Sequence, residues 1–139
     1  MSGLAEMAER EIVARHDFFV DWFAGRPDEA GYNAALAAFD AGFVRVDPEG
    51  AMQDRAGLDA MLRAAHGRIT GDFTIAIEAS APLWERDDAV LMTYLERQEH
   101  AGAATVRRAA ALFVKDEDAP HGVAWRFVQE TWINDRPGM

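Results

Sequence analysis

The first part of the chain has apolar residues at the spacing of an amphipathic helix. The positions that share this face are Ala8, Ile12, Phe18, Phe19, Trp22 and Phe23. This pattern predicts a helix from about residue 4 to residue 24. Gly25 and Pro27 follow directly, and both residue types end helices.

A second helix is predicted after Asp28, whose side chain can cap the first turn. Its inward-facing residues are predicted to be Tyr32, Leu36 and Phe39. Gly42 is expected to end this helix before a short apolar strand at residues 43–46. The sequence Asp-Pro-Glu-Gly at residues 47–50 then predicts a tight turn.

A third helix and a set of strands complete the pattern. Asp54 is the predicted cap of the helix, whose inward residues are Leu58, Met61, Leu62 and Ala65. From residue 71 the apolar period changes to two, with Phe73, Ile75, Ile77 and Ala79 alternating with Thr74, Ala76 and Glu78. Three more strands are predicted at about 89–99, 105–114 and 123–133, separated by links of hairpin length.

These elements predict an α+β fold in which three N-terminal helices cover a curved, mainly antiparallel sheet. Strands of about ten residues must twist, so the sheet has a concave side that the helices can cover. We therefore expect a cone that contains a cavity. Residues 1–139 are expected to form one domain, since a chain of this length buries a sufficient core.

Composition and charge narrow the functional classes. The net charge of -10 argues against nucleic acid and against an anionic membrane surface as partners. The apolar runs are too short to span a bilayer, and there is no cysteine, which excludes thiol chemistry. The expected setting is the cytoplasm.

Four stretches carry a family resemblance: residues 18–25, residues 34–50, residues 54–62 and residues 125–130. Together they resemble the nuclear transport factor 2-like superfamily, and particularly its SnoaL-like branch. The resemblance implies a cystatin-like cone. It leaves function open, because the superfamily includes enzymes, carriers and oligomerisation modules on one fold.

Within this superfamily, the turn at residues 47–50 is similar to that of ketosteroid isomerase. The resemblance implies that Asp47 is a proton-shuttling base. That enzyme also holds its enolate with two acidic hydrogen-bond donors, which by spacing fall near Phe18 and Ala109 here. Neither side chain can donate a hydrogen bond, which argues against steroid isomerisation by that route.

Asp47 is the single predicted catalytic residue, and two interpretations of it are open. In the first, an apolar cavity raises its pKa, so that it removes a proton from carbon or water near neutral pH. In the second, it only initiates the turn by accepting a backbone N–H bond two residues on.

The predicted strand register places a set of ligand-binding candidates on one face. This face carries Tyr94, Glu96, Arg107, Glu130 and Trp132, together with Met92, Gln98, Ala109, Ala111, Phe113 and Val128. The opposite face carries Leu95, Ala110, Leu112, Trp125, Phe127 and Ile133. A slip of one residue would exchange the faces and bring in Gln129 and Thr131. The charged group on the first face is either a ligand clamp or a solvated ion pair.

Phe18 and Trp22 are further ligand-binding candidates, although large inward aromatic residues are more often plain core. His16, His100 and His121 fall on a helix and two loops, and no pair has metal-ligand spacing. We therefore expect no metal and no cofactor.

Two functional hypotheses follow. The first is a small protein that binds an apolar metabolite, with Asp47 as acid/base for cofactor-independent isomerisation, cyclisation or hydration. The second is a non-catalytic ligand-binding or dimerisation module of the same fold. Under either hypothesis, the outer side of the sheet is too apolar to remain exposed to solvent, so a homodimer through the sheet is expected.

Overall fold

A computed structural model gives the structure of the chain and describes residues 3–133. The helices are α1 (Gly3–Phe23), α2 (Glu29–Leu36) and α3 (Arg55–Ala65). The strands are β1 (Phe39–Val46), β2 (Met52–Asp54), β3 (Phe73–Glu85), β4 (Ala89–His100), β5 (Ala103–Lys115) and β6 (Val123–Trp132). The predicted α+β class is confirmed. All three helices lie in the first half of the chain, but α3 follows two strands.

The strands form one sheet in the order β2-β1-β6-β5-β4-β3. All neighbouring strands are antiparallel except β1 and β6, which are parallel, so the sheet is mainly antiparallel as predicted. Helix α1 packs on β3, β4 and β6, while α3 packs on β1 and β2. The helices and one face of the sheet therefore enclose the core. Within the described residues, no helix is both long and apolar enough to cross a membrane.

The two predicted aspartate caps are present. Asp28 Oδ1 accepts a hydrogen bond of 2.9 Å from the N–H of Gly31 at the start of α2. Asp54 Oδ1 accepts one of 2.8 Å from the N–H of Gly57 at the start of α3. Each carboxylate satisfies a backbone donor that the first helical turn leaves unpaired.

The second helix is shorter than predicted. It ends at Leu36, and Phe39 begins β1 instead of facing inward from the helix. The cause is pairing with β6: the N–H of Trp125 donates to Ala38 O at 2.9 Å, and the rings of Phe39 and Trp125 stack with centroids 5.8 Å apart. Gly42 lies within β1 rather than at a helix end. In this position, a Cβ added to Gly42 would lie 3.1 Å from the Arg126 guanidinium.

Strand β3 is longer than predicted because it continues through Pro82 to Glu85. Its pairing with β4 shifts register between Glu78 and Ala81, where Ala79 has a φ of 55°. A bulge of this kind lets a strand continue past a residue that breaks the ladder. Proline is tolerated because β3 is an edge strand.

The predicted register of the hairpins is confirmed, with one correction. Tyr94 lies opposite Ala109, and Ala109 lies opposite Glu130. Trp125, however, does not share the outer face with Phe127. A register shift makes Arg126 the extra residue, so that Trp125 pairs with Phe113 and turns into the core, where it is 3% exposed.

On the outer face, apolar residues line up across neighbouring strands. Trp84 pairs with Leu91, Leu91 with Leu112, Leu112 with Phe127, and Phe127 with Val44. We call these five residues the outer stripe. Trp84 is 48% exposed, and the other four are partly buried.

A buried carboxylate joins α1 to the sheet. Glu11 is fully buried and accepts two hydrogen bonds of 2.8 Å from the Arg15 guanidinium. It also accepts one of 2.8 Å from Trp125 Nε1 on β6 and one of 3.0 Å from His121 Nδ1 in the loop before β6. Four bonds to one carboxylate compensate for the loss of water around its charge.

Candidate ligand cavity

A cavity of about 110 Å³ lies between α1, α3 and the inner face of the sheet. Its apolar lining consists of Phe19, Phe23, Phe39, Phe43, Leu58, Met61, Leu62, Ile75, Trp125 and Val128. Its polar lining consists of His16, Arg45, Tyr94, Glu96, Gln98, Arg107 and Glu130. An apolar wall with a few convergent polar groups is the usual composition of a small-molecule site.

The structure brings together half of the residues predicted for the site. Tyr94, Glu96, Arg107 and Glu130 line the cavity, and all four come from the inner face of β4, β5 and β6. The lining does not include Phe18, Trp22, Trp132 and Asp47. The contacts that these four residues make instead are described below.

His16 and Glu96 form a buried pair that the sequence did not predict. His16 Nε2 lies 3.0 Å from Glu96 Oε1, and His16 Nδ1 lies 2.7 Å from the backbone oxygen of Ile12. Since the carbonyl oxygen accepts only and the carboxylate accepts when ionised, both ring nitrogens donate and His16 is an imidazolium. Gln98 Nε2 donates to the other oxygen of Glu96 at 2.6 Å.

The pKa values of the pair move in the directions that an ion pair requires. Burial alone lowers the pKa of His16, but the charge of Glu96 and its hydrogen bond outweigh burial, so the pKa is raised above 6.5. Burial raises the pKa of Glu96, but the charge and hydrogen bond of His16 outweigh it and bring the pKa to about 2. Both groups are therefore charged near pH 6.

A second charged group lies beside this pair. Glu130 Oε1 accepts two hydrogen bonds from the Arg45 guanidinium, of 2.9 Å from Nε and 2.6 Å from Nη2. Arg107 Nη1 is 3.6 Å from the same oxygen. Glu130 is 7% exposed, so this is not the solvated ion pair that was one of the two interpretations. The charges are those of a buried cluster that opens into the cavity.

Trp132 acts on the cavity through Arg107. The Arg107 guanidinium carbon lies 4.7 Å from the centre of the Trp132 ring, within the range of a cation–π contact. The Trp132 Nε1 donates to Glu49 Oε1 at 2.8 Å. The indole is thus held between Arg107 and the turn after β1, where it fixes the plane of the guanidinium.

Phe18 and Trp22 belong to the contact between the helices. Their rings stack with centroids 5.8 Å apart, and the Trp22 ring lies 4.6 Å from that of Tyr32 on α2. Trp22 Nε1 donates to the backbone oxygen of Leu62 at 2.6 Å. These contacts match the plain-core interpretation of both residues.

Asp47 faces its own turn rather than the cavity. Its Oδ1 accepts hydrogen bonds from the N–H groups of Glu49 at 2.9 Å and Ala51 at 3.0 Å. The N–H of Gly50 also donates to Asp47 O at 2.9 Å. This is the geometry of a turn-forming aspartate, the second of the two interpretations.

Sequence reasoning missed His16 and Arg45 as lining residues, whereas Gln98 lies on the predicted cavity face. His16 had a detectable signal, because it lies between Ile12 and Phe19 on the apolar stripe of α1. Arg45 alternates with Val44 and Val46, so only the pairing of β1 with β6 decides which way it points. Among the described residues, there is no cluster of three or more histidine or acidic side chains able to hold a metal.

Solved structures show the same fold. An NTF-2-like protein of unknown function from Pseudomonas aeruginosa is 27% identical, covers 92% of this chain and 99% of its own, and has a TM-score of 0.84. A domain of unknown function with a cystatin-like fold from Nostoc punctiforme is 15% identical, covers 97% and 81%, and has a TM-score of 0.69. The CaMKII hub of S. rosetta is 14% identical, covers 88% and 95%, and has a TM-score of 0.61.

No protein-family model and no curated protein matches the sequence. The structural likeness confirms the predicted superfamily: the chain is an α+β protein of the nuclear transport factor 2-like superfamily. The two more distant structures show the fold alone. Any function has to be argued from the cavity.

The His16–Glu96 pair makes stability depend on pH. The contribution of His16 is fully present below pH 6.5 and is lost as the pH rises through its raised folded-state pKa. The contribution of Glu96 is present above pH 4.5 and is lost as the pH falls towards 2. Urea unfolding from pH 5 to 9 should therefore show stability falling on the alkaline side, by up to about 1.4 kcal/mol per pH unit.

Variants separate this pair from other titrating groups. His16→Gln leaves Glu96 buried without its charged partner and should cost about 3–5 kcal/mol. The double variant His16→Gln/Glu96→Gln removes both charges and should recover part of that loss with a flatter alkaline slope. Equal alkaline slopes in the wild type and the double variant would contradict the assignment.

Substitutions at Asp47 test its role in the turn. Asp47→Ala removes the acceptor of two backbone N–H bonds and should lower the free energy of unfolding by about 1 kcal/mol. Asp47→Asn keeps an oxygen that accepts both bonds and should cost clearly less. Urea denaturation of the two variants makes the comparison, and equal losses would count against the turn role.

Proposed function

We propose that this protein binds a small, mainly apolar metabolite in the cavity under α1. The observation that carries the proposal is a buried charged cluster set into an otherwise apolar lining. Buried charges cost free energy unless they are paired, and ionisable groups with shifted pKa values that gather around a cavity are typical of a functional site. The proposed protein is thus a metabolite-binding member of the SnoaL-like branch of the superfamily.

The volume of the cavity sets the size of the ligand. At about 110 Å³ it is smaller than the usual 300–1,000 Å³ of a small-molecule site. It is comparable with an engineered cavity of about 150 Å³ that holds benzene. The ligand is therefore about one ring or a short chain, rather than a fused polycyclic molecule.

The cavity also supports acid/base chemistry without a cofactor. The His16 imidazolium donates to Glu96 across 3.0 Å, and both residues line the cavity. His16, as the imidazolium, can give a proton to a ligand oxygen and, once neutral, can take one from carbon or water, which are the steps of an isomerase, cyclase or hydratase. The carboxylate of Glu96 orients the ring and stabilises its charge. Asp47 is the alternative base, on the resemblance to ketosteroid isomerase alone.

A dimerisation module is the second candidate function. The outer stripe supports it, because five apolar side chains in register form a continuous apolar surface that a second copy can cover. A related fold serves as the CaMKII hub of S. rosetta. The net charge of -10 supports the further proposal of a cytoplasmic protein whose partners are neither nucleic acid nor membrane.

A thermal-shift screen of small apolar metabolites tests ligand binding. A specific ligand at a hundred times its Kd should stabilise the protein by about 2.7 kcal/mol. Met61→Trp should abolish or weaken the shift, since Met61 lines the cavity and is 36% exposed at its rim. Met52→Trp is the matched control, because Met52 is 74% exposed and lies outside the lining.

A retained shift in Met61→Trp would place the ligand elsewhere. A screen in which no compound stabilises the wild type would count against ligand binding and leave the dimerisation module as the better supported function.

Sedimentation tests the dimer. The wild type should sediment as a dimer at micromolar concentration, and Leu112→Glu should be monomeric, because it sets a charge in the middle of the outer stripe. Val13→Glu is the control, since Val13 is exposed on α1. A monomeric wild type would contradict the dimer.

A further inference from the structure

The charges around the cavity do not balance. His16, Arg45 and Arg107 are cationic, while Glu96 and Glu130 are the two carboxylates of the lining. His16 is paired with Glu96 at 3.0 Å, and Arg45 with Glu130 at 2.6 Å. The positive charge of Arg107 is therefore left without a carboxylate of its own among the lining residues.

Arg107 also has a hydrogen-bond donor that the surrounding residues of the described chain leave unsatisfied. Its Nη1 lies 3.6 Å from Glu130 Oε1, an oxygen that already accepts two bonds from Arg45. Its Nε is buried and has no hydrogen-bond partner within residues 3–133. In a planar guanidinium, the edge that carries Nε points away from Nη1, so the unsatisfied donor and the Glu130 contact are on different sides.

Two further features favour an anionic group beside the Arg107 guanidinium. The Trp132 ring packs against one face of the Arg107 guanidinium and restricts its motion. The Arg107 side chain therefore loses less conformational entropy when a ligand binds. Tyr94 also lines the cavity, and burial raises the pKa of its hydroxyl well above the usual value. That hydroxyl is neutral at physiological pH and is able to donate a hydrogen bond.

We propose that the ligand is a small organic monocarboxylate whose carboxylate binds the Arg107 guanidinium, with its apolar body among the phenylalanine and leucine side chains. Arginine pairs with carboxylates through two parallel hydrogen bonds, and such a pair is stronger at a mostly buried position than in water. The inference rests on the proposed ligand cavity and adds the chemical class of the ligand. It also accounts for a locally cationic site in a chain of net charge -10.

Calorimetric titration with benzoate and its neutral isostere benzamide tests the proposal. The wild type should bind benzoate at least about tenfold more tightly than benzamide, because only benzoate supplies the missing charge. Pentanoate and pentanamide repeat the comparison with a chain in place of a ring. Each variant is first checked for folding by circular dichroism.

Matched variants assign the preference to one residue. Arg107→Gln should lose the preference for the carboxylate, and Arg107→Lys should keep part of it, because the charge remains while the planar fork is gone. Arg108→Gln is the control: Arg108 is the next residue on β5 and is exposed on the outer face, where its Nη1 lies 3.3 Å from Thr93 Oγ1. This control should bind like the wild type.

The outcomes separate the inference from the proposed function. Equal binding of acid and amide by the wild type would overturn the carboxylate inference and leave the ligand cavity intact. A preference that survives in Arg107→Gln would also overturn it. Binding of neither member of either pair would overturn both the inference and the proposed cavity function.

Discussion

Helix α1 is held on the sheet by two buried carboxylates, and the cavity exists because of them. Glu11 on the helix binds Trp125 of β6, and Glu96 of β4 binds His16, little more than one turn further along the helix. Apolar contacts alone would let the helix settle onto the sheet until the space was filled. Two hydrogen-bonded charge contacts fix the distance of α1 from the sheet and its rotation about its own axis. The aromatic side chains that follow His16 therefore line the cavity without filling it.

The same arrangement explains why the lining combines opposite properties. Strands β4, β5 and β6 present charged residues at one end of their inner face and apolar residues at the other, as Glu96 and Met92 show on β4. In the cavity lining, most of the polar groups come from the sheet, whereas α3 contributes only apolar side chains. This asymmetry favours a ligand with one polar end, which would bind in a single orientation. A fixed orientation of the bound molecule is required for a selective reaction.

Much of the fold was predictable because local rules decide it. The two aspartate caps and the pairing of Tyr94 with Ala109 follow from capping chemistry and from the period of two in strands. The site was only half predictable. In the sequence, His16 is one of several scattered histidines. Its partner Glu96 is far away in sequence, and only the packing of α1 on β4 brings the two side chains together. Asp47 was predicted in the cavity from a turn motif, but a motif does not state which way its carboxylate points.

The extra residue in β6 has a consequence for how this surface can evolve. With Arg126 outside the ladder, the side chains before and after it change sides, which turns Trp125 inward to Glu11 and leaves Phe127 outside. Deleting one residue here would reverse that alternation. It would remove one of the four donors of the buried Glu11 carboxylate and place an indole on the outer surface, so a single deletion would weaken the contact between α1 and the sheet and enlarge the exposed apolar surface.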